Sequence, residues 1–352
     1  MDWSFYKDKI VLVTGHTGFK GSWLIRWLQN IGAYVIGVSL DIPTSPSNFD
    51  AIKDSLKIVD IRCDINDLNK LIEIFKEYQP DMVFHLAAQP IVRKSYENPL
   101  YTFQTNSIGS INIMQAATEC KNLPALLMIT SDKCYHNKEW YFGYREIDNL
   151  GGDDPYSASK AAAEIMIKSF YTSYCTKNNK IFRVATARAG NVIGGGDWAP
   201  SRVVPDCIRA WSNNKKVNIY SPNSTRPWQH VLEPLGGYLL LMEILYKNEI
   251  NINGESFNFG PKANQDMKVS ELVTYLANKW GKEASYNLTN SKIKESALLK
   301  LNCDKAKALL NWSPVFSIKD TLEMTAIWYG EFYNSPDKIP YISDNQIKEA
   351  MK

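Results

Sequence analysis

Thr130-Ser131-Asp132-Lys133-Cys134-Tyr135 brings hydroxyls, an acid and an amine to the end of an apolar run, Leu126-Leu127-Met128-Ile129. Such a run reads as a short buried strand, and ligands of open α/β sheets sit at the carboxyl ends of strands. Further on, Asp154-Pro155 precedes Tyr156-Ser157-Ala158-Ser159-Lys160. Pro suits a first helical turn, and Tyr156 and Lys160, spaced i, i+4, then share one helix face. Ser131, Asp132, Lys133, Tyr156 and Lys160 are the candidate catalytic residues. Brought to one pocket, they would move protons: a free phenol titrates near 10, and a neighbouring ammonium favours its ionised form.

The elements that must position these groups begin with Ile10-Val11-Leu12-Val13, an apolar β-branched run that reads as a buried parallel strand. It leads into Thr14-Gly15-His16-Thr17-Gly18-Phe19-Lys20-Gly21 and then an amphipathic helix with Trp23, Leu24, Trp27, Leu28 and Ile31, stopped by Gly32. Strand, glycine turn and helix is the context of a dinucleotide site, although the spacing is G-x-x-G-x-x-G. The glycines admit a pyrophosphate close to backbone, and the helix N-terminus offers free N–H groups.

Ala33 to Leu40 reads as the second strand, and Asp41 lies where an acid binds the adenosine ribose hydroxyls, which favours NAD. A solvated turn residue is the competing reading of Asp41, and His16 and Lys20 could instead favour a 2′-phosphate. Lys57 to Ile61 is a third strand. Asp64 follows it, either accepting from the adenine amino group or capping the helix Leu68 to Tyr78. Met82 to Ala88 reads as the fourth strand, with His85 a core histidine and Ala87-Ala88 small enough for a ribose to lie against backbone. Tyr96 to Cys120 reads as one long helix containing Asn106, Ala125 to Ile129 as the fifth strand and Phe182 to Ala187 as the sixth. This order predicts an α/β protein with a doubly wound parallel Rossmann sheet. Later segments, including the strands Val217 to Tyr220 and Ser256 to Phe259, read as a smaller C-terminal α/β substrate-binding lobe. The expected division is 1–190 for cofactor and catalytic residues and 191–352 mainly for substrate, with some crossing of chain between them. The glycine-rich loop Arg188 to Trp198 suits phosphates or sugar hydroxyls. Arg226, among the aromatics of Thr225 to Val231, suits a diphosphate; a surface Arg beside a packed Trp is the alternative.

Composition narrows the class. The chain has 352 residues, 45% hydrophobic, with 22% charged and a net charge of +3, so it presents no strong field for nucleic acid or a membrane surface. No apolar stretch has the length of a membrane span, and Met1 to Lys9 does not read as a signal peptide. The six cysteines and four histidines are scattered, which argues against a metal site or disulfide scaffold and for a cytoplasmic setting.

Taken together, Thr14-Gly15-x-x-Gly18-x-x-Gly21, Asp64, Ala87-Ala88, Asn106 and Tyr156-x-x-x-Lys160 resemble the extended short-chain dehydrogenase/reductase superfamily. Within it the chain is similar to the CDP-glucose 4,6-dehydratases. That likeness is carried by Gly15 to Leu24, His85-Leu86-Ala87-Ala88-Gln89-Pro90, Thr130 to Tyr135, Tyr144-Arg145-Glu146, Asp154 to Lys160, Ala187 to Trp198 and Arg226 to Val231. Lys133 stands where the dTDP-glucose relatives carry Glu. The resemblance implies NAD contacts from Gly15, His16, Thr17, Gly18, Phe19, Lys20, Gly21, Asp41, Asp64, Ile65, Leu86, Ala87, Ala88, Asn106, Tyr156 and Lys160. It implies substrate contacts from Gln89, Asn191, Arg202, Arg226 and His230. It also implies a homodimer through the Asn106 and Tyr156 helices, and conversion of CDP-glucose or a similar sugar nucleotide to a 4-keto-6-deoxy sugar.

For that reaction Tyr156, assisted by Lys160, would take the C4 hydroxyl proton while Ser131 holds the C4 oxygen. Lys133, as a neutral amine, would take the C5 proton, and Asp132, held protonated, would give a proton to the leaving C6 hydroxyl. The hydride removed from C4 would return to C6. The same dehydration of a GDP-, UDP- or dTDP-linked sugar, or a sugar-nucleotide epimerase, is the enzymatic alternative. A redox-sensing or RNA-binding protein on the same fold is the non-enzymatic one, and the Tyr156-Lys160 pair argues against it.

Overall fold

The computed structural model describes residues 2–175, 182–248, 250–262, 265–281, 284–289 and 298–352. Strands β1 (Ile10–Thr14), β2 (Tyr34–Ser39), β3 (Val59–Arg62), β4 (Met82–His85), β5 (Ala125–Ile129) and β6 (Arg183–Ala189) form one parallel sheet with Ser256–Phe259. From edge to edge the order is Ser256–Phe259, β6, β5, β4, β1, β2, β3. The chain winds outward both ways from β1, as the alternation of strands and helices predicted.

Both faces of the sheet are buried, and the side chains show it residue by residue. On β5, Ala125, Leu127 and Ile129 join one core while Leu126 and Met128 join the other. On β1, Val11 and Val13 part from Leu12 in the same way. A period of two with both faces covered leaves only apolar residues, which is why these strands read as unbroken runs. Helix α1 (Phe19–Asn30) covers one face with Trp23, Leu24, Trp27 and Leu28, together with the helices Leu232–Lys247 and Ile339–Ala350. The helices Leu68–Tyr78, Gly109–Ala117 and Pro155–Phe170 cover the other.

Several elements differ from the expectation. The helix expected from Tyr96 to Cys120 breaks at Asn98, whose side chain accepts from Tyr101 N while Pro99 opens the next helix. A residue before Pro is pushed out of helical geometry, and Pro has no N–H to continue the ladder. The segment then passes through a wide π turn at Gln104–Ile108 and ends at Ala117. The strand expected to reach Ala88 stops at His85, level with the end of β1 at Thr14. Ser256–Phe259, expected in the smaller lobe, is the parallel edge strand beside β6. The C-terminal helix Ile339–Ala350 escaped the sequence reading because Ser343 and Gln346 share its buried face with Ile339 and Ile347. Those polar groups are satisfied locally: Trp328 Nε1 donates to Ser343 Oγ at 3.2 Å, and Gln346 Nε2 to Met324 O at 2.8 Å.

His85 is the core histidine its apolar strand suggested. Its Nδ1 lies 2.7 Å from Thr14 Oγ1 and its Nε2 lies 3.1 Å from Ser110 Oγ. Burial lowers its pKa to about 3, with the Lys160 charge acting the same way, and burial does the same to His230. Both folded values lie below the unfolded value of 6.5, so the stabilisation is complete above that pH and is lost as pH falls toward 3. Each histidine adds a slope of about 1.4 kcal/mol per pH unit between roughly pH 5.5 and 4. His85→Gln is therefore expected to flatten the pH dependence of urea-unfolding free energy by about that amount per unit. An unchanged slope would mean that the native protein protonates His85.

Candidate active site

The turn after β1 is shaped by close backbone approach. Gly15 has φ +73, and a Cβ there would lie 2.7 Å from Ala87 N. A Cβ on Gly21 would lie 2.1 Å from Gly15 O. No side chain larger than hydrogen fits at either position. Leu86 N donates to Thr14 O at 3.1 Å and Ala87 N to Thr14 Oγ1 at 3.2 Å, laying the β4 extension along the turn, with Ala88 half-buried beyond it. Gly18 is the N-cap of α1 and makes no side-chain cap bond. The first-turn N–H groups of α1 therefore receive no side-chain cap from Gly18, the arrangement that suits a pyrophosphate. The Phe19 ring end lies toward the Gly194 loop of the C-terminal half.

At the far end of this cradle, Thr17 Oγ1 donates to Asp41 O at 2.6 Å and Thr17 N to Ser39 Oγ at 3.3 Å. Asp41 is exposed just past β2, with one carboxylate oxygen accepting from Ile42 N. His16 does not sit as a phosphate cation. Its ring bridges Ser39 Oγ and Asp60 Oδ1, each at 2.9 Å, and burial lowers its pKa against the pull of Asp60. Nor is Lys20 a ligand for a 2′-phosphate: the charges acting on it are Arg202, Asp132 and Lys160, at the other end of the cradle. Asp64 is not the cap of the next helix. That cap is Asp67, which accepts from Lys70 N, while Asp64 Oδ1 accepts from Asn66 N and Nδ2. Ile65 is buried against Gly109. The glycine cradle, the open helix end and the small residues at 87 and 88 together fit a dinucleotide.

The catalytic candidates converge at the end of β5. Ser131 Oγ donates to Asp132 Oδ1 at 3.0 Å and accepts from Lys133 N at 3.2 Å, fixing the tight turn Asp132–Cys134. The Ser131 hydroxyl is near enough to the Tyr156 phenol to act on its ionisation, and Asp154 caps the Tyr156 helix through Ser157 N at 3.0 Å. Ser131, Asp132 and Tyr156 are all buried, 7%, 6% and 8% exposed. Burial pushes the Asp132 carboxyl up against the influence of Lys133 and Ser131, so Asp132 is suited to hold a proton. Burial also pushes Tyr156 up to about 12, while the Ser131 hydrogen bond and the Arg202 charge act downward. Lys160 is not among the main charges on Tyr156: its Nζ turns to Ile129 O at 3.5 Å, and burial lowers its pKa to about 8. Lys20 is likewise lowered to about 8, first by burial and then by Arg202.

The expected substrate residues divide. Arg202 belongs to the cluster, held by Asp197 Oδ2 at 2.7 Å and acting on both Tyr156 and Lys20. Asn191 and Arg226 are half-buried; Asn191 O accepts from Gln229 N at 3.1 Å, and Arg226 lies in a short ladder with Met267. Gln89 is not a free ligand. Its Nε2 donates to Ile91 O and Thr102 Oγ1, and its Oε1 accepts from Ile91 N. Asn106 is spent in the same way: the π turn aims it at Gln89 N and O and at Ser159 Oγ, so it fixes the loop after β4. His230 is fully enclosed, with Nδ1 accepting from Leu232 N and its ring edge-on to Trp23 and Phe316. It shapes the wall of the site.

Two neighbours escaped the sequence reading. Glu164, one turn beyond Lys160, accepts from Arg188 Nε at 2.8 Å, Arg188 Nη2 at 3.0 Å, Thr130 Oγ1 at 2.5 Å and Thr186 Oγ1 at 2.9 Å. Burial would raise this carboxyl, but Arg188 and the hydroxyls hold it below the usual range. The available signal was an Arg inside an otherwise small and apolar strand, which must be paired. The other is Tyr238, fully buried, with a hydroxyl that has no hydrogen-bond partner and is influenced by Asp132 and Tyr156. Nothing in its sequence setting marks it.

A family model described as GDP-mannose 4,6 dehydratase matches residues 12–325. A CDP-glucose 4,6-dehydratase from Salmonella typhimurium is 42% identical over 100% of this chain and 98% of its own. Among solved structures, an epimerase from Methanothermobacter thermautotrophicus superposes with TM-score 0.80 at 24% identity, covering 96% of each chain. A dTDP-glucose 4,6-dehydratase from Streptomyces venezuelae, solved with NAD and TYD bound, gives 0.78 at 21% identity, covering 92% of this chain and 97% of that one. At these identities the two structures establish the fold.

The Glu164–Arg188 pair yields a stability test. Glu164→Ala leaves Arg188 buried without its carboxylate and is expected to cost about 3–5 kcal/mol in urea unfolding. Replacing both with apolar residues, Glu164→Leu with Arg188→Met, is expected to recover most of that loss. A double variant as unstable as the single one would place the cost in the hydroxyl network and not in the orphaned charge.

Proposed function

Since the chain belongs to the GDP-mannose 4,6-dehydratase family, within the extended short-chain dehydrogenase/reductases, we propose that it converts CDP-glucose to CDP-4-keto-6-deoxyglucose and water with NAD as cofactor. The observation that carries the choice of CDP-glucose is the likeness to the Salmonella enzyme along the whole chain. The buried Asp132 beside Lys133 supports the elimination, which an epimerase does not need.

In this reading the cradle from Gly15 to Gly21, with Asp41, Asp64 and Ala87-Ala88, holds the dinucleotide. When bound there, NAD would supply the hydride acceptor for C4 and the hydride donor for C6. Tyr156 takes the C4 hydroxyl proton, with Arg202 and Ser131 favouring its ionised form. Oxidation at C4 acidifies the C5 hydrogen, and Lys133 takes it. Asp132, whose carboxyl burial raises, gives a proton to the C6 hydroxyl as the C–O bond breaks. Arg226 and Asn191 face the sugar nucleotide, residues 1–190 carry cofactor and catalysis, and 191–352 mainly bind substrate. The product supplies deoxysugar synthesis for surface polysaccharide. The enzyme works as a cytoplasmic homodimer; the exposed Leu100, Ile108 and Ile165 on the Asn106 and Tyr156 helices support an apolar contact there.

One experiment tests this reading. Purified protein is incubated with CDP-, dTDP-, GDP- and UDP-glucose, and the alkaline absorbance of a 4-keto-6-deoxy sugar is read. CDP-glucose is expected to react best, with NAD released on denaturation by mass spectrometry and a solution mass near twice 40.0 kDa. Preference for another nucleotide, NADP as the main cofactor, or a monomer would each reject the corresponding part.

Lys133→Met tests the C5 base. Met keeps most of the stem, so the fold is expected to survive. Turnover should fall by roughly a hundredfold or more, and deuterium from solvent should no longer enter C5. Wash-in near the parent rate would exclude Lys133 as that base.

A further inference from the structure

The proton count of the proposed dehydration, on which this inference rests, does not close on its own. The hydride taken from C4 returns to C6, and the proton that Lys133 takes from C5 returns to C5. The C4 hydroxyl proton, however, ends on Tyr156, while the proton that leaves in water comes from Asp132. After each turnover Tyr156 holds one proton too many and Asp132 one too few.

We propose that Ser131 closes this cycle by relaying a proton from Tyr156 to Asp132, so that the proton taken at C4 makes good the one that departs with the C6 hydroxyl. The geometry is that of a relay. Ser131 Oγ is 3.0 Å from Asp132 Oδ1, and its hydroxyl is near enough to the Tyr156 phenol to act on its ionisation. A hydroxyl is both donor and acceptor, so it can take the phenol's proton while passing on its own. The Tyr156 O–H bond breaks as one forms at Ser131 Oγ, the original Ser131 O–H bond breaks as one forms on Asp132, and no other reactant is needed. Lys133 N, bound to Ser131 Oγ at 3.2 Å, holds the hydroxyl in place without competing for the proton it donates. All three groups are buried, so bulk water has poor access to either end. Burial also raises the Asp132 carboxyl, which makes it a better proton acceptor than an exposed acid. The neighbouring Thr130 hydroxyl is committed to Glu164 at 2.5 Å and does not offer a parallel route.

Rapid-quench kinetics with CDP-glucose tests the relay. In the parent, the first and later turnovers are expected to run at one rate. Ser131→Ala also loses a hydrogen bond to the C4 oxygen, so the absolute rate alone decides nothing. The relay requires a burst of about one product per site, followed by a phase slower by roughly tenfold or more. That slow phase should quicken with the concentration of a small buffer such as imidazole or formate. Ser131→Thr, which keeps the hydroxyl, should show neither burst nor buffer dependence. Ser131→Cys, close in size and a weak donor, should behave as Ala does even if Ala folds poorly. Ser131→Ala and Ser131→Cys enzymes that are slow from the first turnover and indifferent to buffer would overturn the relay. A parent that makes no 4-keto product from any of the four nucleotides would instead overturn the dehydration reading beneath it.

Discussion

The site depends on one buried ion pair. Glu164 on the Tyr156 helix and Arg188 on β6 are each 3% exposed at the side chain and meet through two hydrogen bonds. Charges so deeply removed from water are tolerable only when paired and fully hydrogen-bonded. The remaining capacity of the carboxylate binds Thr130 at the end of β5 and Thr186 on β6, and Arg188 reaches Ser256 on the edge strand. One carboxylate thereby ties the helix that carries Tyr156 and Lys160 to the three strands beside it. Thr130 immediately precedes Ser131, so the register of the Ser131 turn against the Tyr156 helix is set there.

Around that anchor the electrostatics are those of an enclosed site. Lys20 and Lys160 are both lowered to about 8, principally by burial, while Asp132 is raised and Tyr156 pushed up to about 12. Burial disfavours every charged form, and the residual differences come from partners: Arg202 for Tyr156, Glu164 for Lys160, Lys133 for Asp132. Such a site favours the neutral forms of Asp132, Lys20 and Lys160 relative to exposed groups. The dinucleotide cradle works by shape instead, through glycines at 15 and 21 that let backbone meet backbone.

Legibility followed the range of the interaction. Strands β1 and β5 were plain because both faces are buried, leaving almost no polar residue to interrupt the runs. The glycine turn, the Ser131-Asp132-Lys133 cluster and the Tyr156-Lys160 pair were plain because short spacing carries them. The π turn at Gln104–Ile108 was hidden because no local pattern separates it from an ordinary helix. Gln89 and Asn106 looked like ligands by type, yet their polar atoms serve backbone and neighbouring side chains distant in sequence, while His230 is enclosed with only Nδ1 engaged, by Leu232 N.

By itself the sequence determined the doubly wound sheet, the dinucleotide turn and the set of groups able to do acid–base chemistry. Those features rest on periodicity, on glycine's lack of a side chain and on residue type, all local properties. Tertiary structure alone decided which of those groups meet. It set Lys20 under the influence of Asp132, made His16 a bridge between Ser39 and Asp60, and made Ser256–Phe259 part of the central sheet. It also paired Glu164 with Arg188 and enclosed Tyr238 beside the site. Burial and partnership are properties of the packed molecule, and a group's charge state follows from them more than from its identity.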